Sequence, residues 1–376
     1  MRIALIISSL DSGGAERVLS GMASYWAAAG HEVALITLSD PLNDWYNLHP
    51  KVERVGLGLL MMAGGPLEAM RNNLLRVWRV RRALVRFGPD VVISFIEKTN
   101  ILALLACIGL RVPVIVSERA DPREKPVEPV WNRLRAWTYG HADAIVVQSA
   151  ALRSWAEQFS GPRTVHVIPN PVRSLVGSEE GGGELFAKQE KLVIAMGRLT
   201  HQKGFDVLIS AFARCLERQP EWRLIILGEG EERPHLETQV AALGIADRVS
   251  LPGVVRNPER KLRQAEFFVL SSRWEGFPNA LLEAMACGLP VVATDCPTGP
   301  ADIIREGVDG LLAPPNDAVA LAHVMEQVMT DRSLRLQLGS NASTVHSRFS
   351  EVAIMRNWEM IVASIQQQPA ARRDGV

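Results

Sequence analysis

Short, unbroken apolar runs recur along this chain, separated by stretches with helical character. Ile3–Ser8, Glu32–Thr37, Val91–Phe95, Val114–Ser117, Ala144–Val147 and Val165–Ile168 read as strands. A polar stretch from Pro169 to Lys191, containing Gly181, Gly182 and Gly183, then interrupts the pattern as an interdomain connection would. It restarts with Leu192–Met196, Arg223–Leu227, Val249–Leu251, Glu266–Leu270 and Val291–Thr294. A strand with one wet face alternates apolar and polar residues, and these runs do not. They are expected to be buried on both faces, in parallel sheets covered by helices. Two such α/β units imply a cleft faced by the carboxyl ends of both sets of strands.

Other sequence features narrow the reading. At 376 residues the chain has room for two domains. Residues 1–170 carry a net charge of +4 and the remainder −4, too small an asymmetry to point to a nucleic-acid partner. Cys107, Cys215, Cys287 and Cys296 are scattered, with no spacing that suggests disulfides or a zinc site. The first apolar run is too short for a signal peptide, and Ile101–Leu110 falls short of the roughly 20 residues of a membrane span. A cytoplasmic protein is expected.

Three loops have the chemistry of a ligand site. In W-E-G-F-P-N-A-L-L-E, Glu275 and Glu283 stand eight residues apart around Pro278, which suits a first helical position. Glu275 is expected before a helix and Glu283 in its second turn, near free N–H groups and the positive end of the dipole. Arg198 and Lys203 lie five apart in the loop after the first strand of the second unit, where they could clamp a diphosphate. Gly13 and Gly14 follow the first strand and open an Ala-rich helix, so a ligand could approach the backbone closely. A tight turn would also explain those glycines. Gly228-Glu229-Gly230 lacks a third glycine and is followed by two more glutamates, so it reads as a turn.

Taken in order, G-G-A-E-R, I-P-N-P-V (168–172), G-R-L-x-x-Q-K-G-F-D (197–206), L-G-E-G (227–230), the two glutamates and D-G-L-L (309–312) resemble the retaining glycosyltransferases of family 4. The resemblance covers nearly the whole chain. It implies an α/β fold of two Rossmann-like domains (the GT-B type). An acceptor-binding domain spans 1–172, a linker 173–190 and a donor-binding domain 191–349, with a helix at about 350–366 packing back onto the first domain. It implies that Arg198 and Lys203 hold the diphosphate of a nucleotide-sugar donor, and that Glu283 holds the ribose hydroxyls. Glu275, Gly276, Phe277 and Asn279 would line the donor sugar and phosphates, with Gly13 and Gly14 on the donor side too. Arg198, Lys203 and Glu275 would be the catalytic set. With no Asp-x-Asp in the chain, no metal and no other cofactor is expected.

Within the first domain, D-S-G-G-A-E-R, I-S-F-I-E-K-T-N-I (93–101) and I-V-S-E-R-A-D-P (115–122) resemble transferases that extend lipid-linked oligosaccharides with hexosamine or hexose. A polyprenyl-diphosphate-linked glycan acceptor follows, with Glu97, Thr99, Asn100 and Arg119 as candidate contacts. Relatives commonly carry His where this chain has Arg119. An arginine stays protonated, so the acceptor-side base is left unassigned. Arg71–Phe87 holds six arginines and no acid. Leu74, Trp78, Leu84 and Val85 are expected on one side, with Arg79, Arg82 and Arg86 largely opposite. Such a helix could dock on anionic lipid at the inner face of the cytoplasmic membrane, or use its apolar side as core. The rival functions are a nucleotide-sugar epimerase of the same architecture, a glycoside hydrolase using Glu275 and Glu283, and a nucleotide-binding module without catalysis.

Overall fold

The computed structural model describes residues 1–60, 64–124, 127–161, 164–172 and 191–367. The expected linker at 173–190, with its three glycines, lies outside the described residues. The chain divides into two compact units: Met1–Asn170 with the segment beginning at Val352, and Pro171–Glu351.

Among the described residues, unit 1 contains seven parallel strands: β1 (Arg2–Ile7), β2 (Glu32–Thr37), β3 (Val52–Gly56), β4 (Val91–Phe95), β5 (Val114–Ser117), β6 (Ala144–Val147) and β7 (Val165–Val167). Their order is β3-β2-β1-β4-β5-β6-β7. The helices between them are α1 (Gly14–Ala28), α2 (Pro66–Phe87), α3 (Glu97–Cys107), α4 (Pro129–Thr138) and α5 (Arg153–Ser160).

Unit 2 has β8 (Leu192–Met196), β9 (Arg223–Leu227), β10 (Val249–Gly253), β11 (Phe267–Leu270), β12 (Val291–Thr294) and β13 (Leu311–Ala313), in the order β10-β9-β8-β11-β12-β13. Around this sheet lie α6 (Phe205–Leu216), α7 (Arg233–Ala242), α8 (Pro258–Gln264), α9 (Asn279–Ala286) and α10 (Pro300–Ile303). Then come α11 (Ala318–Thr330), α12 (Arg332–Ala342) and α13 (Val345–Arg348), while α14 (Glu351–Gln366) packs into the core of unit 1.

The continuous apolar runs have the meaning expected of them, because successive side chains point to opposite faces and both faces are covered. In β1, Ile3, Leu5 and Ile7 join Trp26 of α1 and Trp358 of α14, whereas Ala4 and Ile6 join Leu84 of α2 and residues of α3. Unit 2 repeats the arrangement: Val193 and Ala195 of β8 pack with α6 and α11, and Leu192 and Ile194 with α8 and α9.

Two strands were not expected. β3 is an edge strand in which Glu53, exposed, and Arg54, paired with Asp44 at 2.7 Å, interrupt the continuous apolar signal. β13 is also an edge strand and is only three residues long.

The faces of α2 differ from the expectation. The helix opens on Pro66 and stops at Gly88 in the left-handed region (φ 63), punctuation suited to both residues. Leu84 faces the core with Val80 and Phe87 rather than sharing a side with Trp78. Leu67, Met70, Leu74, Trp78 and Val85 remain exposed, and the guanidinium groups of Arg79 and Arg82 lie over the Trp78 ring at 5.5 and 5.6 Å. The core contacts follow the helical repeat on one flank, leaving a second apolar ridge among arginines on the outer flank. No described helix is long and apolar enough to cross a membrane.

Candidate functional site

Parallel α/β sheets bind ligands at the carboxyl ends of their strands, where the strand order reverses. That point lies between β1 and β4 in unit 1 and between β8 and β11 in unit 2.

In unit 2 the loops after β8 and β11 are tied together. The Ser271 hydroxyl donates to the Lys203 carbonyl at 2.9 Å, the Gln202 amide to the Trp274 carbonyl at 2.9 Å, and the Arg273 N–H to the Gln202 carbonyl at 2.8 Å. The Arg273 fork grips both oxygens of Asp206 at 2.9 and 2.6 Å. That ion pair holds the Asp206 carboxyl below its usual range against the opposing effect of burial.

Glycine makes this closeness possible. Gly204 has φ +61, and a Cβ there would lie 2.2 Å from the Ser271 carbonyl oxygen. A Cβ on Gly228 or Gly230 would strike the carbonyl oxygen of Gly197 at 1.8 Å or of Leu199 at 2.3 Å. The L-G-E-G turn is therefore a backbone support for the loop that carries Arg198.

The tied loops bring Lys203 and Glu275 together. Lys203 Nζ donates to Glu275 Oε1 at 2.5 Å, and the Ser272 hydroxyl donates to the same oxygen at 2.6 Å. The Thr298 hydroxyl donates to the Glu275 carbonyl. Arg198 is exposed, and its guanidinium makes no hydrogen bond or ion pair with any described residue.

Pro278, with extended backbone, caps α9 rather than opening it, and Asn279 is the first helical residue. A proline cap has no side-chain oxygen to accept from the first turn of α9, whose N-terminal end is the one that attracts an anion. Glu283 is buried in the second turn of α9. Phe277 is buried edge-on against Phe349, with centroids 5.5 Å apart, and steadies Gly276 beside it.

In unit 1, Gly13 caps α1 and Gly14 begins it. A Cβ on Gly13 would lie 2.1 Å from Glu16 Oε2, so the Glu16 carboxylate folds back over this backbone. Ile96, just after β4, has φ 74 and ψ 136, a conformation a β-branched residue adopts only under constraint. Its N–H donates to the Ser117 carbonyl at 3.1 Å.

Arg119 follows β5. Its guanidinium donates to Asn170 Oδ1 and, at 3.4 Å, to the Ser117 hydroxyl, and it lies 4.2 Å from the centroid of the Phe95 ring. Burial pulls its pKa down to about 9, opposed by the charge of Glu16, and it remains a cation at neutral pH. Gln148 also donates to Asn170 Oδ1, at 2.8 Å. Asn170 of the I-P-N-P-V motif thus organises this end of the sheet, a role its sequence position alone did not reveal.

The acceptor-side candidates separate. Glu97 is partly exposed in the first turn of α3, but Thr99 and Asn100 are buried. The Asn100 amide donates to the Ser117 carbonyl and the Tyr139 hydroxyl, both at 3.0 Å. Tyr139 in turn donates to Glu118 Oε1 at 2.6 Å, and burial pushes the phenol well above its ordinary pKa. Asn100 is committed to the fold, which corrects its expected place as an acceptor contact; Thr99 is likewise withdrawn from the surface.

Residues 12–174 match the family model for Glycosyltransferase Family 4, and residues 179–345 the model for Glycosyl transferases group 1. The chain is 30% identical over 368 residues to the GalNAc-alpha-(1->4)-GalNAc-alpha-(1->3)-diNAcBac-PP-undecaprenol alpha-1,4-N-acetyl-D-galactosaminyltransferase of Campylobacter jejuni, covering 97% of this chain and 99% of that one. It is 26% identical to the N-acetylgalactosamine-N,N'-diacetylbacillosaminyl-diphospho-undecaprenol 4-alpha-N-acetylgalactosaminyltransferase of the same organism, over 95% of this chain and 98% of that one. Among solved structures, Anabaena HepE in complex with UDP superposes with a TM-score of 0.76 at 20% identity, over 97% of this chain and 100% of that one.

Proposed function

The chain belongs to glycosyltransferase family 4, and on that footing we propose that it transfers a sugar from a nucleotide diphosphate donor to a lipid-linked glycan, with retention of anomeric configuration. The observation that carries the donor side is the Lys203–Glu275 pair beside the exposed Arg198, at the reversal point of the unit 2 sheet. In the transfer, the acceptor hydroxyl oxygen bonds to the anomeric carbon as the bond to the diphosphate breaks. The hydroxyl proton leaves with the departing phosphate or passes to water. Negative charge grows on the diphosphate, where Arg198, Lys203 and the α9 N-terminus stabilise it without a metal. Glu283 holds the ribose diol, because a carboxylate accepts from both hydroxyls. UDP is the favoured nucleotide, a choice supported by the UDP complex of Anabaena HepE.

The acceptor falls to unit 1, with Glu97 and Arg119 as its remaining contacts. A polyprenyl-diphosphate glycan fits the undecaprenol-linked substrates named for the two Campylobacter relatives. Incubating the purified protein with a panel of UDP- and GDP-sugars and such an acceptor is expected to give acceptor-dependent transfer. Donor turnover to an epimer without acceptor, or cleavage of a free oligosaccharide without nucleotide, would overturn the assignment.

The outer flank of α2 fits the membrane that carries this acceptor. Trp78, Leu74 and Val85 can enter the headgroup boundary while Arg79, Arg82 and Arg86 meet anionic lipid. Flotation with vesicles containing phosphatidylglycerol is expected at low salt, and loss of most binding in Trp78→Ala. Equal binding to neutral vesicles, or none at low salt, would contradict this.

A further inference from the structure

Lys203 and Glu275 meet directly, and their contact is built in. Both loops are held by the Ser271, Gln202 and Arg273 hydrogen bonds, and the Glu275 backbone is held by Thr298. The side chains are only 16% and 6% exposed, unlike a surface pair whose long side chains roam. The two cations expected to meet a diphosphate therefore differ: Arg198 is uncommitted among the described residues, and Lys203 is paired with Glu275.

We propose that Glu275 competes with the nucleoside diphosphate for Lys203, so that donor binding exchanges one anion for another at Nζ. The proposal rests on the donor reading of this site and adds a purpose for the carboxylate. When the sugar leaves, the diphosphate gains negative charge, so a fixed cationic site would hold the product more tightly than the donor and stall turnover. A carboxylate poised to recapture Lys203 opposes that retention. Ser272 keeps the carboxylate within reach during the exchange, since its hydroxyl donates to the same oxygen. Arg198 makes the first capture, and Lys203 joins only after Glu275 has released it.

The test is calorimetric titration with UDP, and in parallel GDP, of the wild type, Glu275→Gln, Lys203→Ala and the double variant. Neither probe carries a sugar, so contacts of Glu275 with the transferred sugar do not enter. Glutamine keeps an acceptor for Ser272 and removes the charge. Glu275→Gln is expected to bind the nucleotide at least about fivefold more tightly than the wild type. In the Lys203→Ala background the same change is expected to give less than about a twofold gain, because the contested cation is gone. Glu275→Asp, with a shorter reach, is expected to fall between the wild type and Glu275→Gln, which guards against a misfolded glutamine variant. Unchanged or weaker binding by Glu275→Gln, or an equal gain in both backgrounds, would overturn this proposal alone. Failure of the wild type to bind either nucleotide would overturn the donor reading as well.

Discussion

Replacing Arg198 with alanine is expected to lower turnover at least about a hundredfold, and Lys203→Ala to do the same. A hundredfold loss corresponds to about 2.7 kcal/mol of transition-state stabilisation, the scale of one well-placed donor to a developing anion. The two variants are not equally clean. Arg198 is exposed and uncommitted among the described residues, so its removal should leave the melting temperature unchanged and report on chemistry alone. Lys203→Ala leaves the Glu275 carboxylate largely buried without its cation, so a loss of stability should accompany the loss of rate. Lys203→Arg keeps the charge but not its position in a loop packed around Gly204, and partial activity is expected. Initial rates at saturating donor, together with melting curves, check all three. Near-normal turnover in Arg198→Ala and Lys203→Ala would remove the pair from the mechanism.

How much of this was legible in the sequence depends on the reach of each signal. Buried parallel strands write themselves as continuous apolar runs, and β2, β4, β5, β6, β8, β9 and β12 have the bounds read from the chain. β3 lacks that signal because Glu53 and Arg54 interrupt it, and β13, though apolar, is only three residues long. Two apolar ridges on α2 merged in the sequence reading, since a helical wheel cannot say which ridge the rest of the fold will cover.

At the site, charged residues in loops could be named, but their pairings could not. Lys203 and Glu275 lie 72 residues apart, as do the Gln202–Trp274 and Arg273–His201 contacts that align them. Asn100 looked like a surface contact because its helix follows a strand end; only the packing of Tyr139 against it shows an internal role. The glycines of L-G-E-G read as a turn, which is correct locally, yet what makes them necessary is a backbone contact with Gly197 and Leu199, on the loop after β8.

Trp358→Ala is expected to destabilise unit 1 by about 3–5 kcal/mol, although Trp358 lies near the far end of the chain. The residue is 1% exposed and packs beside Ile354, Met355 and Ile361 of α14 in the same core as β1 and α1. Its ring meets Phe95 at 6.0 Å, and the guanidinium of Arg119 lies over that same phenylalanine. Truncation would therefore leave a cavity too large to collapse without moving α14, and would free the surface on which Arg119 rests. The effect should be confined to one unit, because Trp358 shares no core with β8 to β13. Urea denaturation followed by circular dichroism, with limited proteolysis to identify the unit that opens, is expected to show earlier unfolding of the segments from Met1–Asn170. Their unchanged resistance would show that α14 contributes little to the unit whose core it completes.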